Sequence, residues 1–260
     1  MATCGNASVQ RYVRVSGIGK ESLQMHIPIR GYENMLLVSL ETAVEPLRLI
    51  LPEIQDYVYV AKQRCSPIPA NGLTKDESAS IILYSMEWEP HDKCLYFALN
   101  STLRSEDRQQ LKPWFSYLKL ILTALSRLPS TRNFVYRGVK MDLHEKYPKG
   151  KTFLWWGFSS CTSSIQVLEN EHFLGKTGLR TFFTIDCNSG KDISRHSYYQ
   201  TEKEILLLAA RQFEVLACLQ PAAGLHMIQL KEIEPPICLL QSVTFDSDFK
   251  KSLYGKITII

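Results

Sequence analysis

The spacing of apolar residues changes part-way along the chain. Up to about residue 129 they recur every three or four positions, the helical period; beyond it they alternate, the strand period. Residues 1 to about 34 show weak periodicity and read as a mobile or peripheral segment. Residues 36–65 carry mixed helical spacing interrupted by Pro46 and Pro52, and 66–72 form a turn-rich connector. Thr74-Lys75-Asp76-Glu77 is a capping box. It predicts a helix that runs to about Trp88 and is stopped by Pro90. Residues 93–104 predict a second helix. Pro113 suits the first position of a third, with Trp114, Leu118, Ile121, Leu122, Leu125 and Leu128 along one face and Pro129 at its end.

The alternating half predicts strands over 134–139, 152–162, 179–186, 204–210, 213–219, 225–233 and 237–243. They are rich in Val, Ile, Phe, Trp and Leu and are bounded by Gly, Pro, Asn or Asp. Helices followed by strands imply an α+β architecture rather than a doubly wound sheet.

Composition narrows the class without naming a function. The 260 residues are 45% hydrophobic and 22% charged, which excludes wholesale disorder. A formal net charge of +4, with acids and bases interleaved, points to neither a nucleic-acid nor a membrane partner. No apolar run is long enough for a membrane helix, and the first 25 residues contain Arg11, Arg14, Lys20 and Glu21 without an apolar core. The expectation is a cytoplasmic protein. Seven cysteines without a CxxC pair predict free thiols and no zinc site of that kind. Gly175-Lys176-Thr177 lacks the upstream glycine of a phosphate loop and reads as a plain loop.

Three short pieces carry candidate chemistry. Tyr136-Arg137-Gly138 sets a charge inside an apolar strand. It reads as a sheet-edge arginine or as an anion site, because a guanidinium grips phosphate oxygens as a fork and Gly138 lets a ligand approach the backbone. In Gly157-Phe158-Ser159-Ser160-Cys161-Thr162, alternation places Phe158, Ser160 and Thr162 on one face. Taken alone, this piece also reads as a strand running out into a serine-rich loop. Glu202-Lys203-Glu204 opens an apolar strand. On an extended backbone both carboxylates share a face, roughly 7 Å apart, and Lys203 points away. The piece also reads as a solvated strand entry. No nucleophile elbow is present, His144, His172 and His196 have no motif tying them to a serine, and Cys161 is a nucleophile only with a histidine beside it.

Together, Arg137, Ser160 and Glu202-x-Glu204 resemble the arginine–serine–glutamate set of the arginine-specific mono-ADP-ribosyltransferases. The resemblance includes Leu73-Thr74-Lys75-Asp76-Glu77, Ala98-Leu99-Asn100 and Ala124-Leu125-Ser126-Arg127-Leu128-Pro129 in the helical half. It departs from the family at Ser160-Cys161-Thr162, where Ser-Thr-Ser is usual. It implies a helical half followed by a two-sheet core around an NAD cleft. It also implies a catalytic domain over 36–235, with 1–35 as an extension and 236–260 as a C-terminal strand and tail. NAD is then the co-substrate, with no metal, and the partner is an acceptor protein with an accessible arginine. The implied roles are Arg137 on the pyrophosphate, Gly138 at the nicotinamide amide, Ser160 on the nicotinamide ribose or on Glu204, Thr162 in binding NAD, Glu204 on the ribose cation and Glu202 on the acceptor. Tyr198 and Tyr199 fall in the substrate-recognition turn. Phe173 reads as a core phenylalanine, with stacking on nicotinamide as the alternative. Two other functions use the same residues: NAD hydrolysis with water as acceptor, and a non-catalytic NAD-binding module.

Overall fold

The computed structural model describes residues 17–170 and 173–243. The first layer is helical: α1 Leu40–Val44, α2 Ile54–Arg64, α3 Lys75–Ser85, α4 Leu95–Arg104 and α5 Phe115–Arg127. The capping box forms as expected: Thr74 Oγ1 accepts the Glu77 N–H at 3.2 Å, and Glu77 Oε2 accepts the Thr74 N–H at 2.7 Å. Helix α3 stops at Ser85, short of the expected Trp88, whose ring instead stacks on Tyr57 at 3.9 Å. Pro113 lies in the 3-10 turn Arg108–Trp114 that leads into α5. Every residue of α3 from Glu77 to Ser85 is buried, so this helix is the centre of the layer rather than an amphipathic cover.

The second layer is one hydrogen-bonded sheet of seven strands: β1 Ser130–Val139, β2 Thr152–Trp155, β3 Ser159–Thr162, β4 Arg180–Asp192, β5 Glu204–Leu207, β6 Arg211–Ala222 and β7 Leu225–Ile233. Their order is β1-β3-β5-β4-β7-β6-β2, and β1 pairs with β4 as well. The expected two-sheet core is thus continuous, because its two limbs share β1 and β4. Only β4–β7 is parallel. Alternation divides the sheet between two cores. Leu154, Trp156, Phe158 and Leu206 pack with the helices, whereas Trp155, Cys161, Ile205 and Leu207 pack with Phe183 and Phe213.

Three expectations need correction. Residues 152–162 are two strands, because the N–H of Trp156 goes to Glu21 and that of Phe158 to Asn100 instead of to a neighbouring strand. Residues 237–243 do not form a strand; they make only an isolated bridge, Ile29 to Leu240. Residues 17–34 are not peripheral. Ile18, Ile29 and Tyr32 are buried, the Tyr32 hydroxyl donates to the Gln241 carbonyl, and Glu21 is buried against Arg104 and the Trp156 N–H.

Cys65, Cys94, Cys161, Cys187, Cys218 and Cys238 are free thiols; Cys4 lies outside the described residues, as does His172. No helix among the described residues is long and apolar enough to cross a membrane.

Candidate active site

Strand pairing gathers the three sequence pieces. Tyr136 of β1 is the partner of Thr162 in β3, and Thr162 is the partner of Glu204 in β5. Arg137, Ser160 and Glu204 therefore stand on three adjacent strands, although they are far apart in sequence. They face one cleft with Tyr136, Gly138, Thr162 and Glu202. Val167, Leu168 and Phe173 close its outer side. The cleft is narrow, with a cavity volume of about 30 Å³.

Arg137 is 3% exposed, and its Nη1 donates to the Ser160 carbonyl at 3.3 Å. Burial pulls its pKa down, but a guanidinium remains charged at any physiological pH. It is thus a fixed cation in a dry site, where its pull on an anion is strongest. Gly138 is needed for close packing. A Cβ there would lie 2.7 Å from Leu174 Cβ.

Glu204 is 3% exposed, and its Oε2 accepts a hydrogen bond from Ser197 Oγ at 3.2 Å. Glu202 is placed differently from the sequence expectation. It ends the 3-10 turn Gln200–Glu202, Lys203 turns left-handed at φ 49°, and β5 begins only at Glu204. The two carboxylates reach the same cleft through this turn and not through an extended strand. The turn is tied down by Thr162, whose Oγ1 donates to the Glu202 carbonyl at 3.1 Å. The same hydroxyl accepts the Ser164 N–H at 3.1 Å.

Cys161 is buried among apolar side chains, and its thiol is pushed up to about 12. A thiolate nucleophile is excluded at neutral pH. Phe173 is partly buried against the sheet core, as the core reading expects, and it also lines the cleft.

The turn before Glu204 is anchored on the helical layer. His196 is 1% exposed, with Nδ1 2.9 Å from Ser78 Oγ and Nε2 3.3 Å from Asn71 Oδ1. The Tyr198 N–H donates to Ser85 Oγ at 2.6 Å, and the Tyr198 ring lies under Arg64 at 4.4 Å. Tyr198 is half-buried, packed partly against the helical core. Tyr199 meets it edge-on at 4.9 Å and keeps part of its surface open.

Sequence reasoning missed the layer behind the site. Glu21 Oε1 accepts from Arg104 Nε, and Glu21 Oε2 accepts the Trp156 N–H at 2.9 Å. Asn100 Oδ1 accepts the Phe158 N–H at 2.8 Å while its Nδ2 donates to Tyr84. Together they clamp the kink that aims β3. The signals for it were Asn100, within the Ala98-Leu99-Asn100 segment of the resemblance, and Gly157, where a Cβ would lie 2.9 Å from the Arg104 guanidinium.

Comparison with known proteins agrees with this arrangement. A family model described as NAD:arginine ADP-ribosyltransferase matches residues 36–236. The chain is 28% identical over 168 residues to Mav of Mycobacterium avium (strain 104), a protein named as an NAD(+)–arginine ADP-ribosyltransferase. That match covers 64% of this chain and 19% of Mav, so the chain spans about a fifth of that relative's length. Two solved structures share the fold at low identity. The eukaryotic mono-ADP-ribosyltransferase ART2.2, as a mutant in complex with NADH, superposes with a TM-score of 0.53 at 15% identity, over 76% of this chain and 86% of that one. The ADP-ribosyltransferase Vis of Vibrio splendidus, in complex with agmatine, gives 0.50 at 18% identity, over 82% and 95%. The family match spans most of the chain, and the chain belongs to the NAD:arginine ADP-ribosyltransferase family.

Proposed function

We propose that the chain transfers one ADP-ribose from NAD to an arginine side chain of an acceptor protein and releases nicotinamide. The observation that carries this reading is the strand register. It sets Tyr136, Thr162 and Glu204 opposite one another across β1, β3 and β5, so that Arg137, Ser160, Glu202 and Glu204 line one cleft. Residues 36–235 carry the catalytic unit in this reading, and 17–34 support it from below.

The residues divide the work as follows. Arg137 holds the pyrophosphate, and Gly138 admits the nicotinamide amide to the backbone. Ser160 orients the ribose beside Glu204, and Thr162 fixes the turn that presents Glu202. The nicotinamide of NAD is already cationic, so the glycosidic bond breaks with its electron pair passing to the ring nitrogen, and neutral nicotinamide leaves. Positive charge then develops on the ribose, and the Glu204 carboxylate stabilises that oxocarbenium-like state. Glu202 binds the acceptor guanidinium and takes the proton that it must lose to become a nucleophile. The agmatine bound by Vis is a guanidino compound, which supports the same acceptor chemistry here.

Labelled NAD, with agmatine or a cell lysate as acceptor, tests the assignment. Glu204→Gln is expected to abolish nicotinamide release. Glu202→Gln is expected to lose transfer to arginine while retaining hydrolysis of NAD. The ratio of free to acceptor-bound ADP-ribose separates a transferase from a glycohydrolase. Full activity in Glu204→Gln overturns the proposal.

A further inference from the structure

A second cluster of chemically capable side chains lies beyond the end of β1. Asp142, His144 and His226 place three ligand-type atoms within 4.8 Å of one another. None of them lines the catalytic cleft. Asp142 and His144 belong to the turn after β1, and His226 is the second residue of β7.

One residue of β4 holds the two sides together. Thr181 pairs with Val139 of β1 and with His226 of β7. Its Oγ1 donates to the Met141 carbonyl at 2.8 Å and accepts the Leu143 N–H at 3.1 Å. The turn is thereby fixed beside His226. Within it, Asp142 Oδ1 accepts the His144 N–H at 3.1 Å and lies 2.7 Å from His144 Nδ1. The other oxygen, Oδ2, lies 3.5 Å from His226 Nε2.

We propose that this cluster binds a divalent transition-metal ion of the zinc class. The donor set is two imidazoles and one carboxylate, which suits zinc and its neighbours. Magnesium and calcium favour oxygen ligands alone. Zinc bonds of about 2.0–2.2 Å place tetrahedral ligand atoms roughly 3.4 Å apart. The Asp142–His226 separation already matches, and the Asp142–His144 hydrogen bond opens by well under 1 Å.

One rearrangement is required. The two rings stack at 4.3 Å with planes 9° apart, and an ion cannot lie in the plane of both. His144 is the ring that turns. Its side chain is 42% exposed and sits on a single 3-10 turn, whereas His226 is 9% exposed and fixed in β7. The exposed side of the cluster leaves the remaining coordination position to water or a further ligand. The bound ion would fasten the end of the strand that carries Arg137 to β7.

The test uses chelator-treated full chain titrated with zinc chloride by calorimetry, and with cobalt(II) followed by visible absorption. Stoichiometric zinc binding is expected, with cobalt d–d bands free of thiolate charge transfer. His226→Ala and His144→Ala should each abolish saturable binding. The exposed His144 variant keeps the test valid if the His226 variant does not fold. Failure of zinc to bind, undiminished binding in His144→Ala, or thiolate bands in the cobalt spectrum overturns the proposal.

Discussion

Ser197 Oγ donates to Glu204 Oε2 at 3.2 Å and accepts the Tyr199 N–H at 3.2 Å, so it ties the proposed catalytic carboxylate to the turn beside it. A hydrogen bond to a charged group contributes about 1.5–3 kcal/mol. Ser197→Ala is expected to lower kcat for nicotinamide release by roughly tenfold, about 1.4 kcal/mol, with a smaller change in KM. Steady-state kinetics with NAD check this. His196, one residue earlier, responds to pH. With Asn71 Oδ1 as acceptor, the neutral ring carries its proton on Nε2 and accepts from Ser78 on Nδ1. Burial, helped by Arg195 and opposed by Asp192, lowers its folded pKa below the ordinary value near 6.5. The unfolded chain therefore binds more protons. Stability is lost as pH falls through 6.5 toward the folded pKa and is unaffected above that window. His196→Gln should show a flatter melting temperature between pH 7 and pH 5 than the parent chain. Equal slopes would remove His196 as the cause.

At the scale of elements, local chemistry was legible and tertiary chemistry was not. The capping box of α3 and the full extent of β7 are written in neighbouring residues. The break in 152–162 is not, because it is made by Glu21 and Asn100, which lie in the N-terminal strap and in α4. The same cause explains residues 237–243. Their apolar run has strand propensity, but it finds one bridge partner, Ile29, instead of a strand. The Glu202 turn was also hidden, since nothing local requires Lys203 to be left-handed. The element most undervalued from sequence is the strap at 17–34. The Glu21 side chain is 1% exposed and pairs with Arg104, so removing one partner leaves a buried charge. Glu21→Ala is expected to cost about 3–5 kcal/mol, measured as a shift in the denaturant midpoint. Replacing both residues by apolar ones of similar volume should recover much of that loss. A cost below about 1 kcal/mol would show that the strap is dispensable.

Across the whole molecule, the family resemblance implied that the candidate residues meet in one cleft, but the residue pattern itself did not show how. Nothing between Arg137 and Glu204 in sequence says that β3 lies between β1 and β5. The sheet order makes that juxtaposition, and the helical layer then anchors the turn beside it through Ser78 and Ser85. The cover beside the cleft is likewise a property of the assembled fold, since Leu174 rests on Gly138 from a loop outside the sheet. This contact gives a direct test of the covering segment. A side chain at Gly138 meets Leu174 Cβ at 2.7 Å and the Leu174 backbone nitrogen at 3.1 Å, so the loop backbone must move outward. Valine suits a strand, and β1 should tolerate it. Gly138→Val is therefore expected to lower the melting temperature modestly, because a packed loop backbone must shift, while raising KM for NAD by roughly tenfold, about 1.4 kcal/mol of lost binding. An unchanged KM would mean that the cover over Arg137 is no part of the NAD site. A collapse in melting temperature would instead make Gly138 a requirement of the sheet.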